Sequence, residues 1–133
     1  MNYAVPDDLQ GLMNYHGHLC FGVLLGYKAC KYAEEIIGRS DNMMVLIENG
    51  ACDRDAVKFL LDCTIENGKL INRQGKTQSW SVYNKDEGEG VRLTVNPNLA
   101  NQLPKDKDQA MGFIMEMPGN LLFNVEPFNC GCH

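Results

Sequence analysis

Between Leu9 and Tyr27 the chain carries no Asp, Glu, Lys or Arg, yet four glycines, two histidines, Gln10 and Asn14 fall inside that stretch. A membrane span tolerates few such interruptions, so the segment reads as polar-studded protein interior. It is followed by apolar residues at helical spacing, Val23, Tyr27, Cys30 and Ile37, which predicts a helix of about four turns from Cys20 to Gly38. Gly22 and Gly26, four residues apart, leave one strip of that helix bare enough for another backbone to come close. A helix apolar on nearly every side of its first half must be covered on several faces. The remaining elements have to be arranged around it.

The chain is long enough to bury a core of its own: 133 residues, 44% of them apolar. Its net charge of −5 excludes an obligate nucleic-acid binder working through a basic patch. The imbalance is local, with 5 basic and 10 acidic side chains in residues 1–66 and 7 of each in residues 67–133. An anionic ligand must therefore find specific donors. Met1 to Asp8 has no cationic segment followed by an apolar one, so the expectation is a cytoplasmic protein. In that compartment six cysteines read as thiols, metal ligands or reactive groups rather than as a disulfide framework.

Pro6, Asp7 and Asp8 mark a first short helix reaching Met13 or Asn14. Met43 to Ile47 is a continuous apolar run that predicts a central buried strand, turned by Asn49-Gly50 into a second helix that Asp53 caps, with Val57, Leu60 and Leu61 inward. Leu70 to Asn72, Ser79 to Tyr83 and Val91 to Val95 predict a three-stranded meander. Asp106 and Asp108 open a helix through Met117, stopped by Pro118-Gly119, and Leu121 to Val125 is a short apolar segment. The order predicts a single α+β domain over residues 1–133, a small mostly antiparallel sheet on a long buried helix, with a Cys/His-rich tail at 126–133.

His16-Gly17-His18-Leu19-Cys20 places three metal-competent side chains within five residues. In an extended chain all three share one side; in a helix His16 and Cys20 lie one turn apart on one face. Imidazole nitrogen and thiolate sulfur both suit zinc. Cys20, at the start of the long helix, gains from the unpaired N–H groups there as nucleophile or ligand. Cys52 follows the Asn49-Gly50 turn and Cys63 comes eleven residues later, a spacing that matches no zinc ribbon or finger. Either can complete a site with His18 and Cys20, or both can be small buried hydrophobes. Cys30, in an apolar stripe, belongs to the core. Cys130-Gly131-Cys132-His133 suits a soft metal, although four adjacent residues do not close a tetrahedron unaided. Glu48 ends the apolar strand as a further acid beside such a site, and the pairs Asp7-Asp8 and Glu34-Glu35 read as solvated helix positions.

Taken as an ordered set, YHGHLCFGVLLGYKA, VLIENGACDRDAV, LLDCT through GKL, and GEGVRL resemble the FmdE-like family of formylmethanofuran dehydrogenase proteins from about Tyr15 to Pro97. The family's opening motif, HGHLCPG, is matched at His16, His18, Cys20 and Gly22, with Phe21 in place of proline. Its later GCTFGKGN is reduced to DCTIENGK, keeping Cys63, Thr64 and Gly68, and a Gly-Lys pair is kept as Gly75-Lys76. The resemblance implies an α+β core that forms homodimers, often followed by a treble-clef zinc finger for which this chain is too short. It also implies a divalent transition metal, zinc first, held by His18, Cys20 and Cys63, with His16 and Cys52 in reserve. Three functions fit: an enzyme acting on a small molecule through that metal or through Cys20, an accessory protein delivering a metal or molybdate or tungstate to a partner oxidoreductase, or a structural metal site in a partner-binding protein. None requires nucleic acid or a membrane.

Overall fold

A computed structural model describes residues 5–128. The tail cluster Cys130, Cys132 and His133 lies outside the described residues.

The charge-poor segment does not form one element. It folds as α1 (Asp7–His16), a turn at Gly17, and α2 (Phe21–Ile37). Gly17 supplies the left-handed backbone, φ 106, that ends α1 and reverses the chain. Cys20 is the extended residue immediately before α2, and Gly38 follows its last turn. The expected long helix is thus present, and Val23, Leu24, Ala29, Cys30 and Ala33 on it are buried. Asp8 ties α1 to α2 by accepting from Tyr27 Oη at 2.8 Å and Lys31 Nζ at 3.0 Å, so it is more than a solvated helix position.

After α2 come β1 (Met43–Glu48), α3 (Asp53–Leu61), β2 (Leu70–Arg73), β3 (Ser79–Asn84) and β4 (Glu89–Val95). The chain finishes with α4 (Leu99–Gln102), α5 (Lys107–Glu116), α6 (Gly119–Leu122) and β5 (Phe123–Pro127). The five strands form one sheet in the order β2-β1-β3-β4-β5, antiparallel except for β1 and β2. This is the expected α+β class with two corrections. The middle strand is β3, not β1. And β2 is not part of a meander: α3 carries the chain back along β1, so the next strand enters from the same end and pairs parallel to it, Val45 opposite Leu70.

Strand alternation sorts the sheet into two faces. Val45, Ile47, Trp80, Val82 and Leu93 are buried in one core with α2 and α3. The opposite face carries Met44, Leu46, Ile71 and Tyr83, with Glu48 between Arg73 and Arg92, both 3.3 Å from its carboxylate. Glu48 therefore serves the far side of the sheet and not a site at α2. At the other end of β3, Asn84 donates to Ile37 O at 3.1 Å and fixes the end of α2. Among the described residues no helix is long and apolar enough to cross a membrane.

Candidate metal centre

The start of α3 lies against the start of α2 because two glycines leave room for it. A Cβ on Gly22 would stand 3.2 Å from Cys52 Cβ, and one on Gly26 would stand 2.8 Å from Asp53 Cβ and 3.0 Å from Ala56 Cβ. Cys52 is the residue before α3, as Cys20 is before α2. Two helix starts thus meet with a thiol on each. The expected cap by Asp53 is not made. Instead Asp53 Oδ1 accepts from the Ala51 N–H at 2.7 Å, and its Oδ2 accepts from Trp80 Nε1 at 2.8 Å and Gln78 Nε2 at 3.1 Å. A fully buried acidic side chain with three donors anchors the loop that carries Cys52.

His16, the last residue of α1, completes the cluster from across the Gly17 turn. Its Nε2 lies 3.9 Å from Cys20 Sγ, and ligand atoms of His16, Cys20 and Cys52 all lie within 4.8 Å of one another. A hydrogen bond to Cys20 is the first cause, and burial the second, holding the Cys52 thiol above its ordinary range. His16 Nδ1 is 2.5 Å from Asp55 Oδ2. Nδ1–H donating to that carboxylate leaves Nε2 with its lone pair facing the thiols. Asp55 was not among the residues expected at the site. Its signal was the spacing Cys52-x-x-Asp55, which on a first helical turn puts both on one side.

The trio brought together is therefore His16, Cys20 and Cys52, different from the expected His18, Cys20 and Cys63. His18 sits in the turn, exposed, its ring centroid 4.9 Å from that of His16. Cys63 follows α3 at its opposite end. It is fully buried, donates to Met43 O at 3.4 Å or Leu61 O at 3.5 Å, and burial pushes its thiol up to about 11. Cys30 is in the core as expected, its thiol also raised by burial.

A cavity of about 470 Å³ opens beside the trio. His16 and Cys52 form its inner wall, Arg54, Asp55 and Lys58 of α3 one side, and Tyr15, Ile65 and Leu70 its apolar lining. Cys63 reaches the same cavity from below.

The model of the family described as "FmdE, Molybdenum formylmethanofuran dehydrogenase operon" matches residues 15–124. The chain belongs to the FmdE family. A crystal structure of an FmdE-like protein of tungsten formylmethanofuran dehydrogenase, from Syntrophus aciditrophicus, shares the fold, with a TM-score of 0.72 and 21% identity over 93% of this chain and 71% of that one. A probable S-adenosyl-L-methionine-binding protein of Archaeoglobus fulgidus is 28% identical over 90 residues, 62% of this chain. This chain spans 25% of that relative's length. In this FmdE-family chain the donor chemistry fits a zinc-like ion. Tetrahedral Zn–S and Zn–N bonds imply ligand-to-ligand edges of roughly 3.5–3.8 Å, close to the spacing already present between His16 and Cys20.

Proposed function

We propose that this FmdE-family domain binds a divalent transition metal, zinc, through His16 Nε2, Cys20 Sγ and Cys52 Sγ, and acts on a small molecule admitted by the adjoining cavity. The observation that carries this reading is the convergence of one imidazole nitrogen and two sulfurs within 4.8 Å at the wall of an open cavity. Three protein ligands and an accessible fourth position are the pattern of an exchangeable or catalytic zinc, whereas a structural zinc is closed by four. When bound, such an ion supplies Lewis acidity and a water that ionises near neutral pH.

The chain's own residues have distinct tasks in this reading. Asp55 holds His16 in the tautomer that offers Nε2. Asp53 and Trp80 hold the Cys52 loop. His18, exposed beside His16, is placed to exchange a proton with whatever occupies the open side. Cys63 contributes wall and packing, not a metal bond.

An accessory role, passing a metal or an oxyanion such as molybdate or tungstate to an oxidoreductase, is the second reading. The operon in the family's description favours it. We place the protein in the cytoplasm as a homodimer, using the sheet face of Met44, Leu46, Tyr83 and Ile71, the last 52% exposed. Sedimentation of wild type and Ile71→Lys tests that interface.

The deciding experiment is metal content after zinc reloading of wild type, Cys20→Ser, Cys52→Ser and Cys63→Ser, with circular dichroism to confirm folding. Loss in the first two variants and retention in the third is expected. Full zinc in Cys52→Ser, or loss confined to Cys63→Ser, overturns the ligand set.

A further inference from the structure

The two sulfurs of the centre are also a dithiol with a route to solvent. Cys20 and Cys52 are both free and half-buried, and they are hydrogen-bonded to each other. They sit on separate helix starts that Gly22 lets approach: a Cβ there would meet Cys52 Cβ at 3.2 Å and Cys20 Sγ at 4.0 Å. Sulfurs within 4.8 Å need side-chain rotation to reach the roughly 2.0 Å of a disulfide. Cys30 and Cys63, by contrast, are closed in the core.

We propose that Cys20 and Cys52 form a redox-modification site in which a hydroperoxide converts the metal-free dithiol to a disulfide, so that oxidation and metal binding exclude each other. The competition with metal rests on the ligand set proposed above; the disulfide itself does not.

The chemistry balances on groups already in place. Cys20 Sγ attacks the terminal peroxide oxygen and the O–O bond breaks. The thiol proton passes through His16 Nε2, 3.9 Å away, to the departing alkoxide or hydroxide. Cys20 is then a sulfenic acid. Cys52 Sγ attacks that sulfur, the S–S bond forms, the S–O bond breaks, and the hydroxyl leaves as water with the Cys52 proton. The dithiol loses two electrons and two protons, and the hydroperoxide is reduced to an alcohol (or water) plus water. Cys20 is the attacking sulfur because His16, oriented by Asp55, stands beside it; Cys52 is the resolving one. A zinc ion holding both sulfurs occupies the electron pairs this sequence needs, so only the metal-free fraction reacts.

The test uses the full chain, stripped with a chelator and treated with limiting hydrogen peroxide. Remaining thiols are alkylated and the peptides mapped by mass spectrometry. The expected first product joins the Cys20 peptide to the Cys52 peptide, with the loss of two hydrogens. In Cys52→Ser no such link forms, and Cys20 is trapped as a sulfenic acid by dimedone. Zinc at a hundredfold excess over its Kd slows the link roughly 100-fold. Prolonged peroxide then releases zinc to a colorimetric indicator in step with disulfide. A first link between any other pair of cysteines, those of the tail included, overturns the proposal. If zinc binds and the rate of the Cys20–Cys52 link is unchanged, the competition is wrong. If no zinc binds, the ligand set fails, and the mapped disulfide still decides the redox site.

Discussion

Trp80 Nε1 donates to Asp53 Oδ2 at 2.8 Å in a region where neither residue has any exposure to solvent. This bond ties the middle strand of the sheet to the first turn of α3, one residue from Cys52. Removing the acceptor strands three donors: the Trp80 indole, the Gln78 amide and the Ala51 N–H. Asp53→Ala is expected to cost about 2–4 kcal/mol in urea denaturation, because orphaned buried donors lose their water without replacement. Zinc affinity should fall as well, since the Cys52 loop loses its anchor. Wild-type stability in this variant would show that the buried bond contributes nothing.

Gly26→Ala sets two opposing effects against each other. An exposed helical alanine is worth up to about 1 kcal/mol over glycine. Here the added methyl meets Asp53 Cβ at 2.8 Å, Ala56 Cβ at 3.0 Å and the Asp53 Cα at 3.1 Å, and none of these is a flexible side-chain tip. Overpacking of about 1–3 kcal/mol wins, so the melting temperature should drop. Gly22→Ala, at 3.2 Å from Cys52 Cβ, should cost less stability and more zinc affinity. Both variants melting at or above wild type would mean that α3 does not need these gaps.

Asp55→Asn tests the orientation of His16 with little risk to the fold, because the Asp55 side chain is 40% exposed whereas that of His16 is 13% exposed. An amide can present its NH₂ to Nδ1 and favour the wrong tautomer, turning the Nε2 lone pair into an N–H. Zinc affinity, measured by competition with a chromophoric chelator, is expected to fall about 10–100-fold. An unchanged melting curve for the zinc-free form should accompany it. An unchanged zinc affinity would remove Asp55 from the site.

How much of this was readable beforehand varies from residue to residue. Helix α2 was legible because Val23, Tyr27, Cys30 and Ile37 repeat at its period, and Gly22 with Gly26 announced a close neighbour without naming it. The choice between His16 and His18 was not legible. Extended and helical geometries both made ligands converge, whereas Gly17 at φ 106 breaks the segment so that neither picture holds throughout. Cys52 and Cys63 bracket α3, so only one of them can stand by Cys20. Which one depends on the direction in which α3 crosses α2, a tertiary fact with no local signature. The parallel pairing of β2 was hidden for the same reason, since strand partners depend on where α3 delivers the chain.

Cys63 provides a test at the other end of α3. Burial raises its thiol from 9.0 to about 11, so the native state resists an ionisation that the unfolded chain accepts. The sign follows from proton counting. Below about pH 9 the group is a neutral thiol in both states and its stabilising effect is complete. As pH rises towards 11 the unfolded chain gives up a proton that the native chain keeps, and stability drains away. The loss approaches 2–3 kcal/mol at about 1.4 kcal/mol per unit. Cys63→Ala should cost about 1 kcal/mol near neutral pH, from lost packing against the core. It has no proton to lose, so the gap between variant and wild type should close with rising pH and reverse before about pH 11. Cys30 titrates in the same direction but is present in both proteins, so it cancels in the comparison. Urea denaturation under reducing conditions at several pH values reads the difference directly. Two stability curves that stay parallel from neutral to alkaline pH would mean that Cys63 is not the closed-in thiol that its bond to Met43 O describes.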